Sequence, residues 1–195
     1  MPAVDQNDIK IMPKSIVCED SILRGDITIL PGCIVHPSAS IIAEAGPIVF
    51  GENCIVEEYA KIVYPFTEEQ MKIKESGGTM EALPPLIIGI NNVFEVGCTV
   101  EASRIGDKNV FECKSYVGPE VSISNGCVIG AGVTLRCKQQ LPENTVIYGR
   151  GYLQREAIDR HVSQTLQIDF LRKVLPNYHL LRKPNYDPKK NRNVI

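Results

Sequence analysis

Residues 11–41 read IMPKSIVCEDSILRGDITILPGCIVHPSASI, and an aliphatic side chain falls on every sixth position: Ile11, Val17, Leu23, Ile29, Val35 and Ile41. Four residues after each comes a side chain that is usually small, at Ser15, Ser21, Ile27, Cys33 and Ala39. An amphipathic helix repeats its apolar positions about every 3.6 residues and a half-buried strand about every two, so a sustained period of six fits neither. A solenoid supplies it. If each hexad is a short strand plus a corner, three hexads close a triangular coil and each aliphatic side chain stacks on its equivalent one coil away.

Outward from that stretch the rule persists. After a three-residue slip at Glu44, Ala45 and Gly46 it resumes at Phe50, Val56 and Ile62, with Cys54 and Ala60 in the small slot. It returns at Ile88, Phe94 and Val100, then one residue early at Ile105, Phe111, Val117, Ile123, Ile129 and Leu135, and Leu141 and Ile147 extend it. The core repeat is therefore expected to comprise Val17, Leu23, Ile29, Val35, Phe50, Val56, Ile88, Phe94, Ile105, Phe111, Val117, Ile123 and Ile129. Gly51, Gly89, Gly106, Gly118, Gly130 and Gly149 lie just after inward residues, where a sharp corner calls for positive φ. Cys33, Cys54, Cys98 and Cys127, in the small slot, read as compact apolar fillers.

The 195 residues carry 44% hydrophobic side chains, enough for one sizeable core. Twenty-one basic residues against 23 acidic ones give a formal charge of −2, which offers no global attraction to nucleic acid or to an anionic membrane. Seven cysteines, an odd number without a C-x-x-C pair, fit neither a disulfide framework nor a zinc ribbon, and a reducing compartment is the simplest setting. No apolar run approaches the roughly 18 residues of a membrane span, so a soluble, cytosolic protein without membrane insertion is expected.

Residues 64–85, YPFTEEQMKIKESGGTMEALPP, break the hexads with charges, a Gly-Gly pair and prolines, and read as an excursion loop extruded from the column. Beyond Gly149 the pattern changes. Thr165 or Ser163 offers a cap for a helix whose Leu166, Phe170, Leu171 and Val174 form an apolar stripe for packing on one flank of the column, with Arg172 and Lys173 nearer solvent and Pro176 ending it. The expected organisation is a β-helix over residues 1–149, a linker and helix over 150–181, and a basic, disordered tail over 182–195.

Residues rather than fold decide what chemistry a chain can do. Only His36, His161 and His179 occur, whereas a catalytic zinc commonly takes three protein ligands and an acyl transfer takes a base beside an acyl-carrier groove. His36, the sole histidine in the repeat, follows inward Val35 at a corner and is expected on the surface. Glu57, Glu58, Glu95, Glu101 and Glu112 recur near corners at spacings that fix no acid and base roles, and read as solvated outer-face residues. No catalytic, cofactor-binding or metal residues are expected, and no cofactor.

The segments Ile88-Gly89-Ile90-Asn91-Asn92-Val93 and Ile105-Gly106-Asp107-Lys108-Asn109-Val110 resemble the hexapeptide repeat, whose members form left-handed triangular β-helices. Many of those are acyltransferases and some are carbonic anhydrases, which keeps an enzyme as the alternative reading. Residues 41–49, 91–98 and 143–149, and the helical stretch from 164 to 179, are more specific: they resemble the hexapeptide-repeat subunits of the dynactin pointed-end complex. That resemblance implies an all-β solenoid with a C-terminal α-helix, no enzymatic activity, and a place beside dynactin subunit 5, subunit 4 and an actin-related protein in dynein-dependent transport. It also implies a cytoplasmic, cytoskeleton-associated location, extending to the kinetochore in mitosis. The tail phosphorylation it implies at a Thr-Pro pair has no counterpart, because no Ser or Thr follows Pro184.

Overall fold

A computed structural model describes residues 7–78, 82–158 and 164–186. The chain winds as a parallel β-solenoid. Asp8–Ile11 (β1), Ile16–Val17 (β2) and Ile22–Arg24 (β3) form three sides of the first coil, and Asp26–Ile29 (β4), Ile34–Val35 (β5) and Ser40–Ala43 (β6) those of the second. Ile48–Phe50 (β7), Ile55–Val56 (β8) and Lys61–Tyr64 (β9) complete the third, and the excursion then carries a short helix, Glu68–Glu75 (α1). Winding resumes with Leu86–Ile88 (β10), Val93–Phe94 (β11), Thr99–Val100 (β12), Arg104–Ile105 (β13), Val110–Phe111 (β14) and Tyr116–Val117 (β15). Val121–Ile123 (β16), Val128–Ile129 (β17), Thr134–Leu135 (β18), Gln139–Leu141 (β19) and Thr145–Tyr148 (β20) finish the column. Leu153–Glu156 (β21) folds back antiparallel on β20, and Thr165–Tyr178 (α2) follows.

Every third strand pairs, giving walls of seven, eight and six strands. The register sets the hexad residues in three columns. Ile11, Ile29, Phe50, Ile88, Ile105, Ile123 and Leu141 stack in the first wall, through both the slip and the excursion. Val17, Val35, Val56, Phe94, Phe111, Ile129 and Ile147 stack in the second, and Leu23, Ile41, Ile62, Val100, Val117 and Leu135 in the third. All belong to one buried cluster. Phe94 and Phe111 stack face to face, centroids 4.8 Å apart, and Phe50 meets Phe94 edge-on at 6.2 Å.

The corners depart from the expected glycine placement. Positive φ falls three residues after the inward side chain, at Asn53, Asn91, Lys108, Lys114 and Asn144, and of the expected glycines Gly149 alone shows it. Gly51 instead answers close approach, since a Cβ there would stand 2.6 Å from the Gly89 carbonyl carbon on the next coil.

The two irregularities in the repeat meet on one corner. Glu44 and Ala45 donate their N–H groups to the Tyr64 carbonyl, and the Ala45 carbonyl accepts from Leu83 N–H at 2.8 Å and from the buried Gln70 amide. Thr67 and Gln70 exchange side-chain and backbone bonds across the start of α1, a capping box that gives the excursion a helix where the sequence suggested a loop.

The outer face of the second wall is also apolar: Ile16, Ile34, Ile55, Val93, Val110, Val128 and Val146 lie in register. Helix α2 covers the part nearer the first coil, with Ile168 and Leu175 buried against Cys18, Ile34, Ile55 and Val93, and Leu171 packed on that cluster. This corrects the expected packing stripe. Ile168, Leu171 and Leu175 share a face at i, i+3 and i+7, which leaves Leu166 86% and Phe170 62% exposed and Val174 half-buried. Gln164 rather than Thr165 is the N-cap and makes no side-chain cap bond, while Ser163 lies outside the described residues. Nor does Pro176 end α2; it sits in the last turn, and the His179 N–H closes the helix on the Leu175 carbonyl. Arg172 is half-buried and donates to the Lys14 carbonyl at 3.0 Å, whereas Lys173 stays exposed. The expected tail lies largely outside the described residues, although 182–186 are described and bound to the first coil.

Candidate functional site

The corner that follows the second wall carries a stack of ionisable side chains. Register places Cys18, His36, Glu57, Glu95 and Glu112 one above another, each directly after an inward residue. Glu57 accepts the Val96 N–H at 3.1 Å, Glu95 the Cys113 N–H at 3.0 Å and Glu112 the Ala131 N–H at 2.9 Å. These half-exposed carboxylates on the outer face are thus also staples between coils, because the positive-φ turn aims its N–H at the coil below. Glu101 accepts from the Tyr116 hydroxyl at 2.9 Å.

His36 corrects a second expectation. It is only 7% exposed, with Glu58 of the next coil against it. Its Nδ1–H donates to Glu58 Oε1 at 2.8 Å, a contact that Nε2 does not share. That nitrogen is sealed from solvent and has no hydrogen-bond partner among the described residues. A base in acyl transfer or hydration must reach its substrate, and this one is shut off from solvent. Burial works to raise the Glu58 carboxyl, but the bond from His36 and the nearby His36 and His179 hold it below its ordinary value. Burial raises Glu57, with Glu95 adding to the effect and Val96 N–H opposing it. His161 lies outside the described residues.

Among the described residues no group of three or more His, Cys, Asp or Glu side chains is placed to hold a metal. All seven cysteines are free thiols; five are buried, and Cys113 and Cys137 are exposed. Burial pushes Cys18 up to about 11, and Cys98 and Cys127 also upward. Thiols held protonated are poor nucleophiles, as fillers of a narrow column should be. No helix among the described residues is long and apolar enough to cross a membrane.

Two surface features remain. A cleft of about 490 Å³ lies between the excursion and the coil, lined by Tyr64, Phe66, Leu83 and Pro119 with Glu68 and Glu120 among its carboxylates. The column ends are the second, and they differ. At the first coil the C-terminal segment closes the edge: Arg182 N–H donates to the Val17 carbonyl, Glu19 N–H to Leu180, and Asn185 bonds Ile9 and Ile11. At the last coil β21 covers β20, but β18 and β19 have no strand beyond them among the described residues.

No family model matches the chain. It is 48% identical over 179 residues to dynactin subunit 6 of Danio rerio, covering 91% of this chain and 89% of that one. The Nematostella vectensis protein of the same name is 45% identical, over 90% of this chain and 92% of its own. The chain belongs to the dynactin subunit 6 family. A more distant member from Caenorhabditis elegans shares 33% identity over 91% of this chain and 90% of that one. Among solved structures, a hexapeptide transferase family protein of Anaplasma phagocytophilum aligns at a TM-score of 0.40 and 12% identity, over 87% of this chain and 88% of that one. A UDP-N-acetylglucosamine acyltransferase of Francisella novicida aligns at 0.45 and 13%, over 83% and 70%. Likeness that remote says nothing of activity in this dynactin subunit 6 family member.

Proposed function

We propose that the chain is a non-catalytic structural subunit of the dynactin pointed-end complex, standing beside subunit 5, subunit 4 and an actin-related protein and supporting dynein-dependent transport and adaptor attachment. Cytoplasmic, cytoskeleton-associated residence follows from that place, with the kinetochore as its mitotic site. Membership of the dynactin subunit 6 family carries the reading. The sealed Nε2 of His36 supports it, because the repeat's sole histidine has no route to a substrate.

Purification of the tagged chain from cells tests it. Dynactin components retained in fixed stoichiometry are the expected result. A free chain that hydrates CO₂ or transfers an acyl group, and loses that turnover on His36→Ala, overturns it in favour of the enzyme reading.

A further inference from the structure

In the third wall, Tyr116 N–H donates to the Val133 carbonyl and Gly118 N–H to the Leu135 carbonyl, both at 2.8 Å, so these two places on each coil address the next coil. Register makes Thr134 the equivalent of Tyr116, and Arg136 follows as that of Gly118. No further strand lies on β18 among the described residues, and the N–H groups of Thr134 and Arg136 find no acceptor there. The neighbouring β19 is blunted, because its equivalent of Ser124 is Pro142, which has no N–H. Strand β20 is already paired by β21. Of the three final sides, β18 alone offers two successive ladder donors.

A cleft of about 390 Å³ opens beside that edge, with Leu135 and Ile147 from the end of the core in its lining and Tyr152 and Gln154 from the β21 hairpin as its wall. Among the described residues Arg136 is the only charged one lining it, and Lys138 is exposed two positions on. Tyr152 in that wall is 53% exposed, and Tyr148 and Leu153 of the same hairpin are 41% and 57% exposed. Unpaired ladder donors specify an extended backbone, the apolar floor a hydrophobic side chain, and the two cations an acidic flank.

We propose that the β18 edge receives an extended, acidic strand of another polypeptide in the assembly, which pairs with Thr134 and Arg136 and sets one apolar side chain into the cleft over Leu135 and Ile147. The proposal rests on the assembly-subunit reading and adds the surface and the chemistry of the partner segment. The self-closed first coil and the open last coil then have one explanation: the chain blunts one end with its own C-terminal segment and leaves the other for a partner.

Residue-resolved amide hydrogen exchange on the isolated chain and on the complex purified from cells tests this. Thr134 and Arg136 amides should exchange freely in the isolated chain and slow by about 100-fold or more in the complex. Thr134→Pro removes one outward donor and should leave the circular dichroism and melting temperature of the isolated chain intact while reducing incorporation at least about tenfold, as backbone pairing requires. Joint Arg136→Glu and Lys138→Glu substitution should reduce incorporation as well. Full incorporation of Thr134→Pro, or equally fast Thr134 and Arg136 amides in a complex that retains the chain, overturns the proposal alone. Self-association of the isolated chain that protects the same amides also overturns it, by making a second copy the occupant. A chain absent from the complex altogether overturns the functional reading too.

Discussion

The Asn92 side-chain amide donates to the Gly106 carbonyl of the next coil at 2.8 Å while donating equally closely to Gly89 on its own, and its Oδ1 accepts the Asn109 N–H at 2.9 Å. Asn109 repeats the last of these bonds upward, accepting the Cys127 N–H at 2.7 Å. Both asparagines are fully buried. Their slot is the one that Cys33, Cys54 and Cys127 fill on other coils, so a polar and an apolar solution to the same corner share one column.

Asn92→Ala removes that side chain and strands the Gly106 carbonyl and the Asn109 N–H, while the Gly89 carbonyl keeps only the weaker Cys54 thiol at 3.2 Å. We expect a loss of about 2–3 kcal/mol in chemical denaturation, the cost of unsatisfied buried polar groups. A loss below about 0.5 kcal/mol, the range of ordinary surface changes, would mean that the ladder does not hold the coils.

Helix α2 provides a contrast within one element. Leu175→Ala should cost about 2–4 kcal/mol by leaving a cavity against the second wall, whereas Phe170→Ala and Leu166→Ala should change stability by about 0.5 kcal/mol or less. Equal effects from Phe170→Ala and Leu175→Ala would show that the helix docks in a different phase.

Thiol titration under native conditions should modify Cys113 and Cys137 and spare the five buried cysteines until the chain unfolds. The Cys113 thiol donates to Glu95 Oε2 at 3.2 Å, and that bond, with burial and the negative charge of Glu95, raises its pKa. Glu95→Gln should therefore accelerate Cys113. Rapid native modification of Cys33 or Cys54 would contradict the buried column.

Glu57 and Glu58 should respond to pH with opposite signs. The Glu58 carboxyl lies below its ordinary value, so the stability it contributes is present above the unfolded pKa and is lost as pH falls through the folded one. The Glu57 carboxyl lies above its ordinary value, so its contribution is present below the unfolded pKa and is lost as pH rises through the folded one. In melting curves from about pH 3 to 7, Glu58→Gln should lose its deficit against the native chain toward acid, and Glu57→Gln should gain toward neutrality. Parallel profiles for the two variants would refute the assignment of their environments.

The solenoid was legible because one physical requirement, a narrow column filled from three sides, imposes one residue type every six positions from Ile11 to Ile147. A second signal was equally present in the sequence: the residue before each second-wall core position, from Ile16 and Ile34 to Val128 and Val146, is aliphatic, which marks a wall covered on both faces. The phase of α2 was not legible, since Leu166, Phe170 and Val174 form as good an i, i+4 stripe as Ile168, Leu171 and Leu175, and only the wall decides between them. The burial of His36 and the stapling by Glu57, Glu95 and Glu112 depend on partners a coil or more away, beyond the reach of local spacing. The closed first coil was hidden for the same reason, because Asn185 meets Ile11 across nearly the whole chain.

Native mass spectrometry of endogenous dynactin tests the central claim most directly. A column built for docking predicts that the chain stays in the intact particle and in its pointed-end subcomplex at one constant stoichiometry. A chain found free, with dynactin particles complete in its absence, would contradict the account.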